Sequence, residues 1–293
     1  MKISLLLVSK NEEKNVPTFI RSLRKQTKLP DEIVLVDAST DRTLEMMKKN
    51  LSKKPFQKIK KKFFKANPYS CSYQRWLGLK HVTGDLTLLT DIDAELDKKW
   101  LEEITEPFKN RDVSVVQGNV TSSSFADEDW MFSKGLPEKG KYLNHCNAAY
   151  RTRLLKKFNF DPQIRYGDDR DMSYRLTRAG IIIYGRKTAK VWHHQSGHAN
   201  KKSERGWTFK NFKSSSRQSY GFAFLIKKYK SPYWFARMIY NILHIFYKRG
   251  FSNFTFYVIT TPIMLFQVLF VETIKERFFG WTPNPYLKSN RHK

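Results

Sequence analysis

The stretch Leu88-Leu89-Thr90-Asp91-Ile92-Asp93 ends a short apolar run with two carboxylates one residue apart. Read as a strand, it buries Leu86, Leu88 and Leu89 and brings Asp91 and Asp93 out at its C-terminal end. Period-2 geometry points both carboxylates the same way. Such a pair can hold one hard divalent cation, Mg2+ or Mn2+. That cation would neutralise a diphosphate, which bare carboxylates repel. Asp-x-Asp alone also occurs at solvated strand ends, so its surroundings must decide between the two readings.

Two further groups carry chemistry. Gly167-Asp168-Asp169-Arg170-Asp171-Met172 opens a helical stretch, and acids in a first helical turn are favoured by the macrodipole. Asp168 and Asp169 sit in that first turn, whereas Asp171 is spaced to bind Arg175 at i+4. Val191-Trp192-His193-His194 ends a strand in two imidazoles, with His198 just beyond. His193 and His194 are candidates for a third metal ligand or a phosphate contact. A three-histidine zinc site is disfavoured, because no carboxylate or cysteine lies close by in sequence.

The elements that must position these groups follow one another regularly. Ile3–Val8 and Glu32–Asp37 are continuous apolar runs of strand length, the second tipped by an acid. Helical patterns follow each: Val16–Leu23, with Pro17 in its first turn, and Thr43–Lys49 after Ser39-Thr40-Asp41. Repeated strand–helix units with polar strand ends predict a parallel sheet whose site lies at the strand C-termini. The lysine-rich run 53–65 reads as a third, edge strand with a solvated face. Helices are expected over 70–81, 100–108, 147–158 and 168–179. Strands are expected over 113–118, 181–184 and 191–194, and a loop over the site at 122–141.

The 293 residues suffice for one large α/β domain plus an appendage. Lys and Arg number 54 against 27 acids, a net charge of +27 that attracts polyanions: nucleic acid, nucleotide diphosphates or an anionic membrane. Cys71 and Cys146 have no metal or disulfide spacing and read as buried reduced thiols. The N-terminus lacks signal-peptide shape, so cytosolic synthesis is expected. After His198 the composition shifts. Residues 199–232 form a basic linker or helical segment, and 233–293 an aromatic, aliphatic helical segment containing the uncharged run Phe251–Val271. That run is close to the ~20 residues needed to span hydrocarbon. Basic residues on both sides of it disfavour a single crossing, so a hairpin or interfacial helices on the cytoplasmic face of the membrane fit better.

Taken in order, these motifs resemble the family 2 glycosyltransferases, inverting enzymes of the GT-A fold. The resemblance covers residues 1–198. It is carried by Asn11-Glu12-Glu13, Val36-Asp37, Ser39-Thr40-Asp41, Gln74 to Leu79, Gly84-Asp85, Asp91-Ile92-Asp93, Phe160-Asp161, Gly167 to Met172 and a histidine after the last strand. It implies a Rossmann-like α/β architecture with a mostly parallel central sheet flanked by helices. It also implies a nucleotide-sugar donor, a divalent cation, and a glycan or lipid-linked acceptor. Residue by residue, Asp37 would contact base or ribose, with Ser9, Asn11 and Glu12 lining the same pocket and Arg75 near the phosphates. Asp91 would lie near ribose and metal, Asp93 would be the main metal ligand, and Asp169, with Asp168 as its rival, would be the general base. The turn after Asp37 is one residue shorter than the family form, Trp76 stands for the usual Asn, and Asp168 for the usual Glu.

Other classes fit less well. A sugar-phosphate nucleotidyltransferase should carry a glycine-rich loop after its first strand, and residues 9–15 contain no glycine. Neither a Walker A nor a Gly-x-Gly-x-x-Gly sequence occurs. A nucleic-acid-binding protein would leave the strand-end acids unexplained, so nucleic acid is not the expected partner.

Overall fold

Alternation along the first strands sends side chains to two faces, and both faces are buried. In the computed structural model, residues 1–67, 70–121, 139–140, 143–194, 209–249 and 251–279 are described. Strands β1 (Ile3–Ser9), β2 (Glu32–Asp37) and β4 (Leu86–Asp91) place Leu5, Leu7, Ile33, Leu35 and Leu88 in one core. Leu6, Val34, Val36 and Leu89 enter the other. Helices α1 (Val16–Arg24), α2 (Thr43–Leu51) and α4 (Trp100–Thr105) contribute Phe19, Met47 and Trp100 to the first core. The second is filled from α3 (Cys71–Leu79), α5 (Thr152–Phe158) and α6 (Asp168–Arg178) by Leu79, Leu155 and Met172. A continuous apolar run is therefore what a strand sandwiched between helix layers requires.

The remaining strands are β3 (Lys60–Lys65), β5 (Ala94–Leu96), β6 (Val115–Thr121), β7 (Lys139–Gly140), β8 (Asn147–Arg151) and β9 (Ile183–His193). Their order is β3-β2-β1-β4-β8-β6-β9-β5, with β7 also on β9. β1, β2, β3 and β4 are mutually parallel, and β6 and β9 are parallel to each other. β8 runs against both β4 and β6, and β5 and β7 run against β9. The sheet is thus mixed, with six of the nine strands among the described residues in one direction. β3 is the basic edge strand expected from its lysines.

Three expectations change. Residues 147–158 are not one helix: Asn147–Arg151 is strand β8, and only Thr152–Phe158 is helical. The buried Ala-Ala-Tyr run is flanked on both sides by partners, and sheet hydrogen bonds override its helical propensity. The two short strands expected at 181–184 and 191–194 are one long strand, β9, whose pairing with β6 shifts register between Gly118 and Asn119. Such an irregularity hides the period-2 pattern. Cys71 is exposed at the start of α3, while Cys146 is buried. Of the loop expected over 122–141, residues 122–138 and 141 lie outside the described residues.

The chain divides into two compact units. The first takes residues 1–161 and 169–199, the second 162–168 and 200–293. In the second, α7 (Phe209–Tyr229), α8 (Pro232–Arg249), α9 (Phe251–Phe266) and α10 (Glu272–Phe279) follow in sequence, with Gln267–Val271 forming a π-helical link. One continuous helix within it, Tyr257–Arg277, is long and apolar enough to cross a membrane.

Candidate active site

β1, β2 and β4 are parallel and in register, so their C-terminal ends deliver Ser9, Asp37 and Asp91 to one edge of the sheet. Asp37 is fully buried. Its Oδ1 accepts from the Ser9 hydroxyl at 2.7 Å and the Ser39 hydroxyl at 2.6 Å. Its Oδ2 accepts from the Ser39 amide at 3.2 Å and from Lys65 Nζ at 2.8 Å. A buried carboxylate needs such partners. Asp37 therefore acts as a tie point for three segments, and Lys65 from β3 supplies its counter-charge.

The turn after β1 is stitched to the turn after β2. Asn11 sits at φ 59°, a left-handed conformation asparagine tolerates. Its amide donates to Ser39 Oγ at 2.8 Å, and its side-chain oxygen accepts from the Thr40 amide at 2.8 Å. Gln74 Nε2 donates to the carbonyls of Ser9 and Val36, both at 2.8 Å, docking α3 over the two strand ends. One turn on, a Cβ at Gly78 would collide with Leu6, so this helix lies close on β1.

Arg75, on the same helix, is 5% exposed and its Nη2 meets Asp91 Oδ1 at 2.9 Å. Two residues further on, Asp93 Oδ1 accepts from His193 Nε2 at 3.0 Å. Asp91, Asp93 and His193 each offer a ligand atom within 4.8 Å of the others. Two carboxylates and one imidazole suit a hard-to-borderline cation such as Mn2+, so these residues fit the metal expected at this strand end. Burial disfavours charge on the His193 ring, but the bond to Asp93 and the negative field of Asp93, Asp91 and Glu12 outweigh it and raise its pKa.

Glu12 faces the same group. Its carboxyl is pushed up to about 7, chiefly by burial and further by Asp93 and Asp91, while the Asn15 hydrogen bond and His193 oppose the shift. Sequence reasoning assigned Glu12 to the nucleotide pocket; its electrostatic neighbours are the metal-type residues. The sequence reads Cys146 as a buried reduced thiol. It is fully buried within reach of the charges of Asp91, Asp93, Arg75 and Asp169, and its pKa is raised by burial first and by the three acids next. No motif signalled that placement, because it depends on β8 lying beside β4.

His194 does not join the group. One residue past the end of β9, His194 meets Glu95 instead, with Nε2 at 3.2 Å from the carboxylate and its ring 4.0 Å from that of Trp192. His198 lies outside the described residues. Asp168 and Asp169 open α6 after Gly167, whose φ is 88°. Asp169 Oδ1 accepts from the Arg170 amide at 2.8 Å, and its carbonyl holds Ser173 Oγ at 2.6 Å. Asp171 is buried and bound to Arg175 at 2.7 Å, as its spacing requires. Arg175 also donates to Asn159 O at 2.8 Å, pinning α6 to the end of α5.

Comparison with known proteins agrees with this architecture. The family model described as Glycosyl transferase family 2 matches residues 4–167, more than half of the chain. The 4,4'-diaponeurosporenoate glycosyltransferase of Staphylococcus haemolyticus is 29% identical over 110 residues, 36% of this chain and 28% of that protein. The chain thus spans little more than a quarter of that relative's length. Among solved structures, the mannosyltransferase PcManGT of Pyrobaculum calidifontis, in complex with GDP-Man and Mn2+, superposes with a TM-score of 0.61 at 16% identity. That match covers 99% of this chain and 79% of the other. S. aureus TarS matches with a TM-score of 0.55 at 20% identity, over 76% of this chain and 40% of its own. At these identities the likeness is one of fold, and the fold is GT-A.

Proposed function

This chain belongs to glycosyl transferase family 2, and we propose that it transfers a sugar from a nucleotide-diphosphate donor to an acceptor hydroxyl with inversion at the anomeric carbon. The observation that carries the reading is the convergence of Asp91, Asp93 and His193 at the strand ends. Asp37 holds Ser9, Ser39 and Lys65 in place at the nucleotide side, and Asn11 locks the two turns that would frame the base and ribose. Arg75 orients Asp91 and offers positive charge beside it. Asp91, Asp93 and His193 would hold Mg2+ or Mn2+, which, when bound, supplies positive charge to the leaving diphosphate. The Pyrobaculum structure, with its Mn2+ and GDP-Man, supports that assignment.

Asp169 accepts the proton of the acceptor hydroxyl as that oxygen attacks the anomeric carbon from the face opposite the diphosphate. The acceptor O–C bond forms, the C–O bond to phosphate breaks, and the electron pair leaves on the diphosphate. The Arg170 amide fixes one Asp169 oxygen, which leaves the carboxylate oriented for this step. The acceptor we assign is a glycan or lipid-linked hydroxyl at the cytoplasmic face of a membrane. That reading is supported by the apolar helix Tyr257–Arg277 and by the net charge of +27. Incubation with a panel of nucleotide sugars and Mg2+ or Mn2+ tests the activity. Donor turnover with an inverted product is expected; a retained configuration, or no turnover with any donor, refutes the mechanism.

A further inference from the structure

The C-terminal unit exposes large apolar side chains where a soluble surface would carry charge. On α8, Tyr233, Phe235, Tyr240 and Leu243 are each more than half exposed. Along Tyr257–Arg277, Ile259, Ile263, Phe266, Phe270 and Ile274 recur at helical spacing, with Phe266 at 62% and Phe270 at 57% exposure. Contiguous apolar faces of this kind mark interaction surfaces.

The opposite side of Tyr257–Arg277 is committed to α7: Val268, with Met264 and Leu265, packs against Tyr220, Ala223 and Phe224, and polar pairs join the same face. Thr260 and Thr261 lie 3.2 and 3.1 Å from the Ser219 hydroxyl, Glu272 accepts from Tyr220 at 3.1 Å, and Glu276 pairs with Lys227 at 2.8 Å. A crossing would carry α7, with Arg217, Lys227 and Lys228, into hydrocarbon alongside its partner. The cost of burying those cations selects a helix lying flat, with the α7 side turned to water.

Charge identifies what covers the face. Residues 209–293 contain fourteen Lys and Arg and two acids, Glu272 and Glu276. Both acids are held by α7 as described, whereas Lys230, Arg237, Lys275 and Arg277 are exposed. A second copy of the chain would oppose this excess with the same excess; anionic lipid headgroups complement it.

We propose that the apolar stripes of α8 and of Tyr257–Arg277 form a one-sided surface that rests in the headgroup layer of an anionic membrane without crossing it. This deepens the membrane reading above and is independent of the sugar chemistry.

The test is co-sedimentation of the full chain with phosphatidylcholine vesicles, with and without phosphatidylglycerol, at low and high salt. Binding about tenfold tighter or more to the anionic vesicles, weakened by salt, is expected. Phe266→Ser with Phe270→Ser should lose at least about tenfold, and so should Tyr240→Ser with Leu243→Ser. Circular dichroism and donor binding should match the unsubstituted chain. An environment-sensitive label on Phe270→Cys, in a Cys71→Ser background, should report a depth near the headgroups. No sedimentation with either vesicle overturns membrane association itself. Association that survives while both double variants bind normally overturns this surface alone, and equal, salt-insensitive binding to neutral vesicles overturns the anionic partner. A label at the bilayer centre shows a span, and lipid-free dimerisation abolished by the same substitutions makes the occupant a second copy; either refutes the proposal.

Discussion

The two units handle charge in opposite ways. In the sheet unit, the buried acids Asp37, Glu32 and Asp171 are each paired with a cation, Lys65, Lys62 and Arg175, and the half-buried strand-end Asp91 is paired with Arg75. In the helical unit, acids are almost absent and apolar side chains face outward. Buried charges are costly unless held, so the first arrangement is what positioned chemistry demands. Exposed apolar faces are costly in water, so the second is what a surface made for another phase looks like. Substitutions should therefore separate the units cleanly: chemistry lost without folding in one, location lost without chemistry in the other.

The sharpest break is expected at Asp169. Asp169→Asn keeps shape and removes the proposed base, so transfer should fall by about 10²–10⁴-fold while donor binding persists. If Asp168→Asn is the inactive variant and Asp169→Asn is active, the neighbour is the base. Asp93→Ala should follow, with a loss of about 10²–10³-fold and an intact fold by circular dichroism. Full activity of Asp93→Ala in EDTA would remove the metal from the reading.

Stability draws the same line. Leu23→Ala, in the core beneath β1, should cost about 2–5 kcal/mol in denaturant unfolding. Phe266→Ser, on the exposed stripe, should stay within about 0.5 kcal/mol in detergent-free buffer. Comparable losses at both positions would mean that the stripe is packed in solution.

How much of this was legible depended on range. β1, β2, β4 and their strand-end acids could be read because each element's signal lies within its own residues. Asn147–Arg151 could not, since its strand state comes from β4 and β6 on either side. The choice between His193 and His194 was likewise undecidable from sequence alone. Both follow the same strand, and it is the pairing of Ala94 with His193 that sets one ring on Asp93 and the other on Glu95. The carboxylates missing near those histidines in sequence arrive from a hundred residues away. Glu12 and Cys146 entered the site for the same reason.

The smallest effect is in the pH dependence of the metal-free sheet unit, and its sign follows from Glu12 and His193. An unfolded glutamate ionises near 4.5, whereas Glu12 in the fold holds its proton up to about 7. Between those values the folded state binds more protons, so stability falls as pH rises through the window. His193 adds in the same direction. Its folded pKa is raised, so its contribution is fully present below its unfolded value of 6.5 and is lost as pH climbs through the folded one. Glu32 does not interfere: its carboxyl is lowered to about 2, and its contribution is lost only in acid. Because Glu12 is partly exposed, solvent screening reduces its share to on the order of 1 kcal/mol. That corresponds to roughly 2–4 °C in a domain of this size. The melting temperature in EDTA should therefore decline from pH 5 to pH 8, and Glu12→Gln, which cannot ionise, should flatten the decline. Mn2+ held at the proposed site would compete with the same protons, so the stabilisation it gives should grow over that interval. A melting temperature that rises with pH in EDTA would show that Glu12 is ionised throughout and does not share the field of Asp91 and Asp93.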